Sequence, residues 1–384
     1  MVGNLENSCR RLRNGFVKCP YEPHCCGPEF QERTPRVKFK LSFHAQASWM
    51  LKSPHRYHTI PPRHHLMFSQ LSSGRWSHLN LIDDGADVSI RKLGLCDFPR
   101  LKSLNSDYLI DIRHWNAPLL TQIHGYYANG APITTFASQL TSFELLVQDP
   151  HLDVDGMVSA LHSMPNLRHL SLELDGCEGI LYDAIPEGLD PPGLHSVHIE
   201  TLRISIKNST TSYVVAELYD ALSYLSASTV EITLSRLTSS NPSNFLRDNG
   251  DDFFPYGSTI IVILDTDDED SWDDFYVLTE IVENCKIAHT IHVDNLDAAF
   301  LPPDVHLRNW KNYANLHHLK VEYCSGFTER DLKALVSNLM TAESGSSLQS
   351  LEIIACPNIS EELLLNLRDE VGSRIKWKSD QAWR

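Results

Sequence analysis

Cysteine and histidine, the usual protein ligands of zinc, cluster near the start of the 384-residue chain. The segment CPYEPHCCG, residues 19–27, offers Cys19, His24, Cys25 and Cys26. A structural zinc site needs ligand pairs separated by two to four residues, so that four donors reach a tetrahedron without strain. Because Cys25 and Cys26 are adjacent and no C-x-x-C occurs in the chain, this segment predicts a disordered, thiol-bearing tail and no metal site.

Histidine is abundant, with 19 residues in the chain. If neighbouring strands lie about 4.8 Å apart, outward histidines could line up across them as a ladder that binds a metal or senses pH. Such residues more often serve as amphipathic members of a binding surface, and we favour that interpretation. The candidates for the ladder are His78, His169, His198, His292 and His318.

An acidic segment offers the strongest enzymatic alternative. TIIVILDTDDEDSWDD, residues 259–274, runs an apolar strand into Asp265-x-Asp267. It resembles the start of haloacid-dehalogenase-like phosphotransferases, which implies a magnesium-dependent enzyme that uses Asp265 as nucleophile together with Asp267. The expected Gly-Thr does not follow, so a solvated loop or divalent-ion sponge is the favoured interpretation, and an acidic loop that engages basic partner residues is a further alternative. No H-E-x-x-H, G-x-S-x-G, Walker loop or G-x-G-x-x-G occurs, and we predict no catalytic residues and no cofactor.

Composition limits the possible partners. The net charge of -16 repels phosphate backbones, which argues against nucleic-acid binding. With 42% hydrophobic and 21% charged residues and no apolar run near about 18 residues, we expect a globular protein without a membrane span. The start of the chain lacks the features of a secretory signal, so we predict a cytoplasmic or nuclear protein with free thiols.

The strands and helices that would position these residues recur along the sequence as repeats. LHHLKVEYCSGFTERDLKALVSNL, residues 316–339, and LQSLEIIACPNISEELLLNLRDEV, residues 348–371, have nearly the same pattern. Similar strand-like phrases recur upstream at a spacing of roughly 20 to 32 residues, with one double step around AHTIHVD, which is the range of leucine-rich repeats. The comparable anchors are Leu79, Leu104, Phe143, Leu170, Leu202, Val230, Ile261, Leu319 and Leu351.

Helical spacing of apolar residues appears between these phrases. It predicts helices over Asp153–Ser163, Thr211–Leu225, Phe275–Val282 and Leu332–Leu339. Thr328 with Asp331, and Ser360 with the acids after it, indicate helix N-termini, while Gly372 indicates a C-terminal stop. A unit of one strand and one helix cannot bury its apolar face alone, so such units must stack.

The alternation of polar and apolar residues predicts how the sheet is covered. A parallel sheet covered on both faces has continuously apolar strands, whereas here Leu170, Leu172 and Leu174 alternate with polar neighbours. We therefore predict an α/β leucine-rich-repeat solenoid (horseshoe), with a parallel sheet on the concave face and helices on the convex face. The predicted divisions are residues 1–65 as an irregular or disordered segment, 66–377 as the solenoid and 378–384 as a tail.

The open face supplies the predicted partner-binding residues, all at outward polar positions of the strands. A rigid sheet holds such side chains in register before binding, which lowers the ordering cost of association. They are His78, Asn80, Glu144, His169, Ser171, Glu173, Arg203, Ser205, Lys207, Glu231, Thr233, His318, Lys320, Glu322, Ser350 and Glu352.

The repeats resemble the cysteine-containing type of leucine-rich repeat, and the chain from Leu66 to Trp377 resembles fungal F-box proteins with leucine-rich-repeat tails. The phrases that carry the match are HHLKVEYCSGFTERDLKAL and QSLEIIACPNISEELLLNL, with LMFSQLSSGRWSHLNL as the opening segment and ISEELLLNLRDEVGSRIKW as the terminal cap. In that family the F-box binds a Skp-type adaptor of a cullin-RING ubiquitin ligase and the repeats bind the substrate. Residues 1–65 lack the Leu-Pro phrase that opens an F-box, so no F-box is recognisable.

The resemblance therefore implies a non-catalytic protein-interaction scaffold, a diverged or truncated substrate receptor of a cullin-RING ubiquitin ligase. Its partner would bind the concave face. A Skp-type adaptor and cullin would join if residues 1–65 retain a cryptic F-box. The alternatives are the phosphotransferase built on Asp265 and Asp267, and a relic with no partner.

Overall fold

The structure is a computed structural model that describes most of the chain after residue 75. The described residues are 76–81, 90, 94–106, 112–126, 135–180, 193–237, 242–250, 254, 256–265, 276–294, 299–303, 310–341 and 347–379. They form an α/β fold built around a 12-stranded parallel sheet, which is consistent with a solenoid-like arrangement. The predicted N-terminal segment 1–65, with its candidate zinc ligands, lies outside the described residues.

The strands of the large sheet follow one another in chain order, and each pairs in parallel with the next. Parallel neighbours require a crossover after every strand, so each strand and its connection form one stacked unit. Two short strands, β5 and β7, instead pair with each other beside the sheet. The strands are β1 His78–Leu81, β2 Ser103–Ser106, β3 Gln122–Tyr126, β4 Ser142–Val147, β5 His151–Leu152, β6 His169–Asp175, β7 Gly179–Ile180, β8 Val197–Lys207, β9 Leu225–Ser235, β10 Gly257–Asp265, β11 Thr290–Asp294, β12 His318–Glu322, β13 Ser350–Ile354 and β14 Ile375–Lys378.

Helices occupy several of the crossovers. The α-helices are α1 Val154–His162, α2 Ser212–Leu222, α3 Val277–Asn284, α4 Glu329–Leu335 and α5 Glu361–Val371. The chain after α4 continues as a π-helical turn, Val336–Met340, and short 3-10 helices occur at Ala137–Gln139, Pro242–Leu246, Trp310–Tyr313 and Gly372–Arg374. None of the described helices combines the length and the apolar character needed to cross a bilayer.

The core lies between the helices and one face of the sheet. Inward side chains of the strands and apolar side chains of the helices belong to one buried cluster. One residue from each strand of the large sheet forms a continuous inward row across the register: Leu79, Leu104, Ile123, Phe143, Leu170, Leu202, Val230, Ile260, Ile291, Leu319, Leu351 and Ile375. The predicted alternation in β6 is confirmed, because Leu170, Leu172 and Leu174 are buried between more exposed neighbours.

The predicted helix signals are confirmed where the structure describes them. Thr328 and Asp331 form a reciprocal capping box at the start of α4. The Ser360 hydroxyl accepts from the Leu363 amide at the start of α5, and Gly372 ends that helix with φ of 69°. Each cap satisfies backbone groups that the first or last helical turn leaves without partners.

The recurring cysteine of the repeated phrases has a structural role. The Sγ atoms of Cys177, Cys324 and Cys356 lie 3.7, 3.6 and 3.7 Å from a backbone carbonyl oxygen of the preceding main-sheet strand. Burial raises the pKa of Cys177 to about 11 and also raises that of Cys356. The thiols of Cys177 and Cys356 therefore stay protonated. All three thiols donate weakly to these carbonyls and tie adjacent units together.

The strands also end in a recurring way. Gly176, Asn208, Arg236, Tyr323 and Ala355 each follow directly on a strand of the large sheet and have positive φ. Their N–H groups donate to the carbonyl at the end of the next strand, at 2.9 to 3.4 Å. The left-handed conformation thus extends the ladder by one bond while turning the chain away from the sheet.

Some predicted details are wrong. The register places Ile260, not Ile261, in the inward row, so Ile261 points to the open face. The interval from Leu104 to Phe143 contains an additional strand, β3. This strand is hard to recognise in the sequence because it contains His124 and Gly125. The predicted second helix ends at Leu222, because Leu225 already belongs to β9.

The described residues between β9 and β10 pack against the helical layer. Phe245 and Leu246 of the 3-10 helix Pro242–Leu246 are buried. The hydroxyl of Tyr219 in α2 donates to the Phe245 carbonyl at 2.8 Å, and its ring stacks on Phe254 at 3.8 Å. This segment therefore takes the place of a regular helix in covering the core beside α2.

Candidate functional site

The candidate site is the outward face of the sheet, where side chains are exposed or half-buried. The register arranges them in three rows, which we call the first, second and third outward rows. The first row is His78, Ser103, Gln122, Ser142, His169, Thr201, Thr229, Thr259, Thr290, His318 and Ser350; the second is Asn80, Asn105, His124, Glu144, Ser171, Arg203, Glu231, Ile261, His292, Lys320, Glu352 and Lys376; the third is Leu146, Glu173, Ser205, Thr233, Ile263, Asp294, Glu322, Ile354 and Lys378.

Every residue predicted to bind a partner points to this face. All but Lys207 belong to the three outward rows, and Lys207 lies two residues beyond Ser205, at the end of β8. Two groups of closely spaced polar and charged side chains lie on this face. One lies on β4, β6 and β8, and the other on β11 and β12.

The first group surrounds a depression of about 350 Å³ in the open face. Ser171 occupies the second row between Glu144 and Arg203, and its short side chain leaves the space that longer neighbours enclose. His169 borders the depression from the first row. The structure therefore brings Glu144, His169, Ser171 and Arg203 together from three strands.

The polar groups at this depression are held by their neighbours. Glu144 Oε2 lies 2.7 Å from His124 Nδ1, and Arg203 Nε lies 3.2 Å from Glu231 Oε2. The Nδ1 atom of His169 lies 2.9 Å from the Thr201 hydroxyl. An acid on one side and a guanidinium on the other give the depression opposite charges at its two ends.

An ion pair extends this group along the strands. Lys207 Nζ, at the end of β8, donates to Glu173 Oε1 at 2.8 Å. Both side chains are about one-third exposed, which limits the contribution of the pair to stability. Such a contact does fix the positions of a cation and an anion next to the depression.

The second group combines His292 and Asp294 of β11 with Lys320 and Glu322 of β12. His292 Nε2 lies 3.3 Å from Glu322 Oε2, and the Lys320 ammonium contacts the same oxygen. Burial, reinforced by the Lys320 charge, lowers the pKa of His292. Burial alone would raise the pKa of Glu322, but Lys320 and His292 together hold it below its ordinary value.

The histidine ladder, the less favoured alternative, does not form among the described strands. His169 pairs with Ser142 and Thr201, and His318 pairs with Thr290 and Ser350, so no two of the candidate histidines are register partners on adjacent strands. His198 lies before the three rows and contacts Ser226 and Ser228. The sequence revealed that these residues point outward, but their mutual register depends on crossover lengths that vary from unit to unit.

The alternative enzymatic residues are only partly described. Asp265 ends β10 and is exposed, and its carbonyl accepts from the Arg236 amide at 3.0 Å. Asp267 lies outside the described residues. The zinc candidates Cys19, His24, Cys25 and Cys26 likewise lie outside them.

Several residues of the open face were not predicted from the sequence. His124 contacts Glu144 but sits on the unrecognised strand β3. Asn105 and Asp294 occupy outward rows on β2 and β11. Residues two apart share one face of a strand. The pattern His292-x-Asp294, followed by Lys320-x-Glu322 in the next unit, could therefore have indicated this group of polar side chains.

The sequence matches no protein-family model. It also has no significant match among curated proteins.

Proposed function

We propose that this chain is a non-catalytic, leucine-rich-repeat scaffold that binds a protein partner on the open face of its sheet. The observation that carries the proposal is the unbroken parallel register of twelve strands, which lines up polar side chains in three rows. The repeated strand-turn-cysteine phrases and their thiol contacts to the preceding main-sheet strand support the leucine-rich-repeat assignment.

The open face suits protein recognition because it is rigid and chemically mixed. Backbone hydrogen bonds on both sides hold each central strand, so little ordering is needed when a partner binds. Acidic and basic side chains alternate with hydroxyl groups and with Ile261 and Ile263 on β10. A folded partner that offers both charges and a few apolar contacts complements such a surface better than a polyanion does.

The depression beside Ser171 is the proposed centre of contact. Arg203 uses one nitrogen, Nε, for Glu231, and a guanidinium carries five N–H donors in all. Glu144 offers an acceptor on the other side of Ser171. We expect a partner to place a basic group near Glu144 and an acidic group near Arg203.

The resemblance to fungal F-box proteins adds a more specific proposal. In this more specific proposal, the chain is the substrate receptor of a cullin-RING ubiquitin ligase, and the protein bound on the open face is the substrate of that ligase. A Skp-type adaptor and cullin would be recruited through residues 1–65 if these retain a cryptic F-box.

Affinity capture with open-face variants tests the proposal. The full chain is used as bait and compared with Ser171→Trp, which fills the depression, and Arg203→Glu, which reverses its charge. We expect both changes to reduce recovery of the specific partner at least about tenfold, as for central contact residues. The matched control is Glu362→Lys, because Glu362 is exposed on α5 in the helical layer.

Circular dichroism of each variant separates loss of binding from loss of folding. A partner retained equally by folded Ser171→Trp and Arg203→Glu would contradict the proposed surface. Recovery of an adaptor and cullin that depends on residues 1–65 would support the ubiquitin-ligase role. Recovery of a specific partner without an adaptor or cullin would contradict the ligase role but not the proposed binding surface.

A further inference from the structure

The strongest chemical feature outside the depression is the group on β11 and β12. His292, Asp294 and Glu322 each offer one ligand atom, and these atoms all lie within 4.8 Å of one another. The register sets Asp294 beside Glu322, while His292 lies two residues before Asp294 on the same face. The three donors therefore converge from two rigid neighbouring strands.

We propose that His292, Asp294 and Glu322 form a binding site for a divalent transition-metal ion. One imidazole and two carboxylates are donors that suit zinc, cobalt and related borderline metals. Donors around a tetrahedral zinc-sized ion lie roughly 3.4 Å apart, given metal–ligand distances of about 2.1 Å. The separation of 3.3 Å between His292 Nε2 and Glu322 Oε2 already matches this value.

The state of His292 supports this assignment. Its Nε2 atom is buried and makes no aligned hydrogen bond to any described residue, although Glu322 is close. A metal ion would give this nitrogen a partner, with one carboxylate oxygen each from Asp294 and Glu322 as further ligands.

Lys320 is the competitor within this group. Its ammonium contacts Glu322 and supplies a positive charge where the metal ion would bind. The side chain is long and about one-third exposed, and its register partner on β13 is Glu352. Metal binding would displace the ammonium from Glu322, and Glu352 is an adjacent carboxylate that can accept it.

Three of the five described cysteines are poor alternative ligands for a metal ion. Burial raises the pKa values of Cys177, Cys285 and Cys356, so their thiols are protonated and are poor metal ligands. Ligation by cysteines elsewhere in the chain would be visible, because cobalt–thiolate bonds give intense near-ultraviolet bands that nitrogen and oxygen ligands lack.

Titration of the full chain with Co²⁺, followed by visible absorption and calorimetry, tests the site. We expect one site with nitrogen and oxygen ligands, weakened by roughly tenfold or more in His292→Gln and in Glu322→Gln, since each change removes a ligand. Lys320→Met should bind Co²⁺ about tenfold more tightly, because it removes the competing charge.

The matched control is His289→Gln, which removes an exposed histidine just before β11. Its affinity for Co²⁺ should equal that of the unaltered chain. The assignment is overturned if Co²⁺ does not bind, if the spectrum shows thiolate ligation only, or if His292→Gln and Glu322→Gln bind as tightly as the control. The gain in Lys320→Met remains informative even if a ligand variant fails to fold.

Discussion

At the scale of single residues, His162 shows how burial couples protonation to stability. It lies in the last turn of α1, where its ring meets Tyr224 edge-on at 4.6 Å. Its Nε2 atom is buried and has no hydrogen-bond partner in the part of the chain that the structure describes, and burial lowers the pKa of His162. The folded state therefore favours the neutral ring, while the unfolded chain takes up a proton near its ordinary pKa of about 6.5.

This difference predicts a pH-dependent stability. As the pH falls below about 6.5, the unfolded state binds the proton first, so the free energy of unfolding decreases until the folded pKa is passed. We expect His162→Phe to show a smaller decrease between about pH 7 and 5 than the unaltered chain. Urea denaturation at both pH values measures it, with the exposed His151→Gln as control. Equal decreases in all three proteins would contradict the prediction.

The sequence alone predicted which face of the sheet these side chains point to, but it did not predict which side chains they contact. Period-two alternation placed Glu144, Ser171 and Arg203 outward because each strand alternates by itself. The contact of Glu144 with His124 could not be predicted, since it depends on pairing between units that are distant in sequence.

At the scale of elements, the start of α4 is the most completely capped helix terminus described. The Asp331 carboxylate is almost fully buried and accepts from the Thr328 backbone N–H at 3.1 Å and from its hydroxyl at 2.7 Å. The Thr328 hydroxyl oxygen in turn faces the Asp331 amide at 3.4 Å. This network satisfies two backbone donors at the end of a connection inside the repeat.

Removal of the cap should therefore destabilise the fold. We expect Thr328→Ala to lower the free energy of unfolding by about 1 kcal/mol, and by more if the buried Asp331 carboxylate is left without its partner. Ser337→Ala, at an exposed position in the π-helical turn, should change it by less than about 0.5 kcal/mol. Chemical denaturation measures both, and equal effects would show that the cap has no special role.

Helix termini could be predicted because capping is local: Thr328, Ser360 and Gly372 carry their signals within a few residues. Strand β3 could not be predicted in the same way. Its sequence QIHGY contains glycine and few apolar residues, so its strand conformation depends on β2 and β4 on either side.

At the scale of the whole molecule, one core runs through all described units. Ile232 lies in the middle of β9, is fully buried, and has Ile204 and Val262 as register partners on the two adjacent strands. Since each unit buries its apolar face only against its neighbours, damage at one unit should spread to both sides.

We therefore expect Ile232→Ala to cost about 2 to 5 kcal/mol, compared with about 0.5 to 1.5 kcal/mol for the smaller change Ile232→Val. Hydrogen exchange should increase most in β8, β9 and β10 and less in β13 and β14. Uniform acceleration across the sheet would instead indicate that the described units unfold as a single cooperative block.

The α/β class and the parallel sheet were predictable at this scale because repetition multiplies a weak signal. Each leucine phrase is ambiguous alone, but phrases that recur at similar intervals can all be satisfied only by stacking. The number of units was harder to predict, since Ile123 and Ile291 occupy inward positions in phrases that lack the usual leucines.

The last strand of the described sheet, β14, bears on how copies of the protein would behave when crowded. One side of β14 pairs with β13, and no described strand lies on its other side. Exposed Lys376 and Lys378 alternate along it with Ile375 and Trp377. A second copy that added its own β14 there would bring like-charged ammonium groups close to these, which discourages the pairing of two copies through this edge.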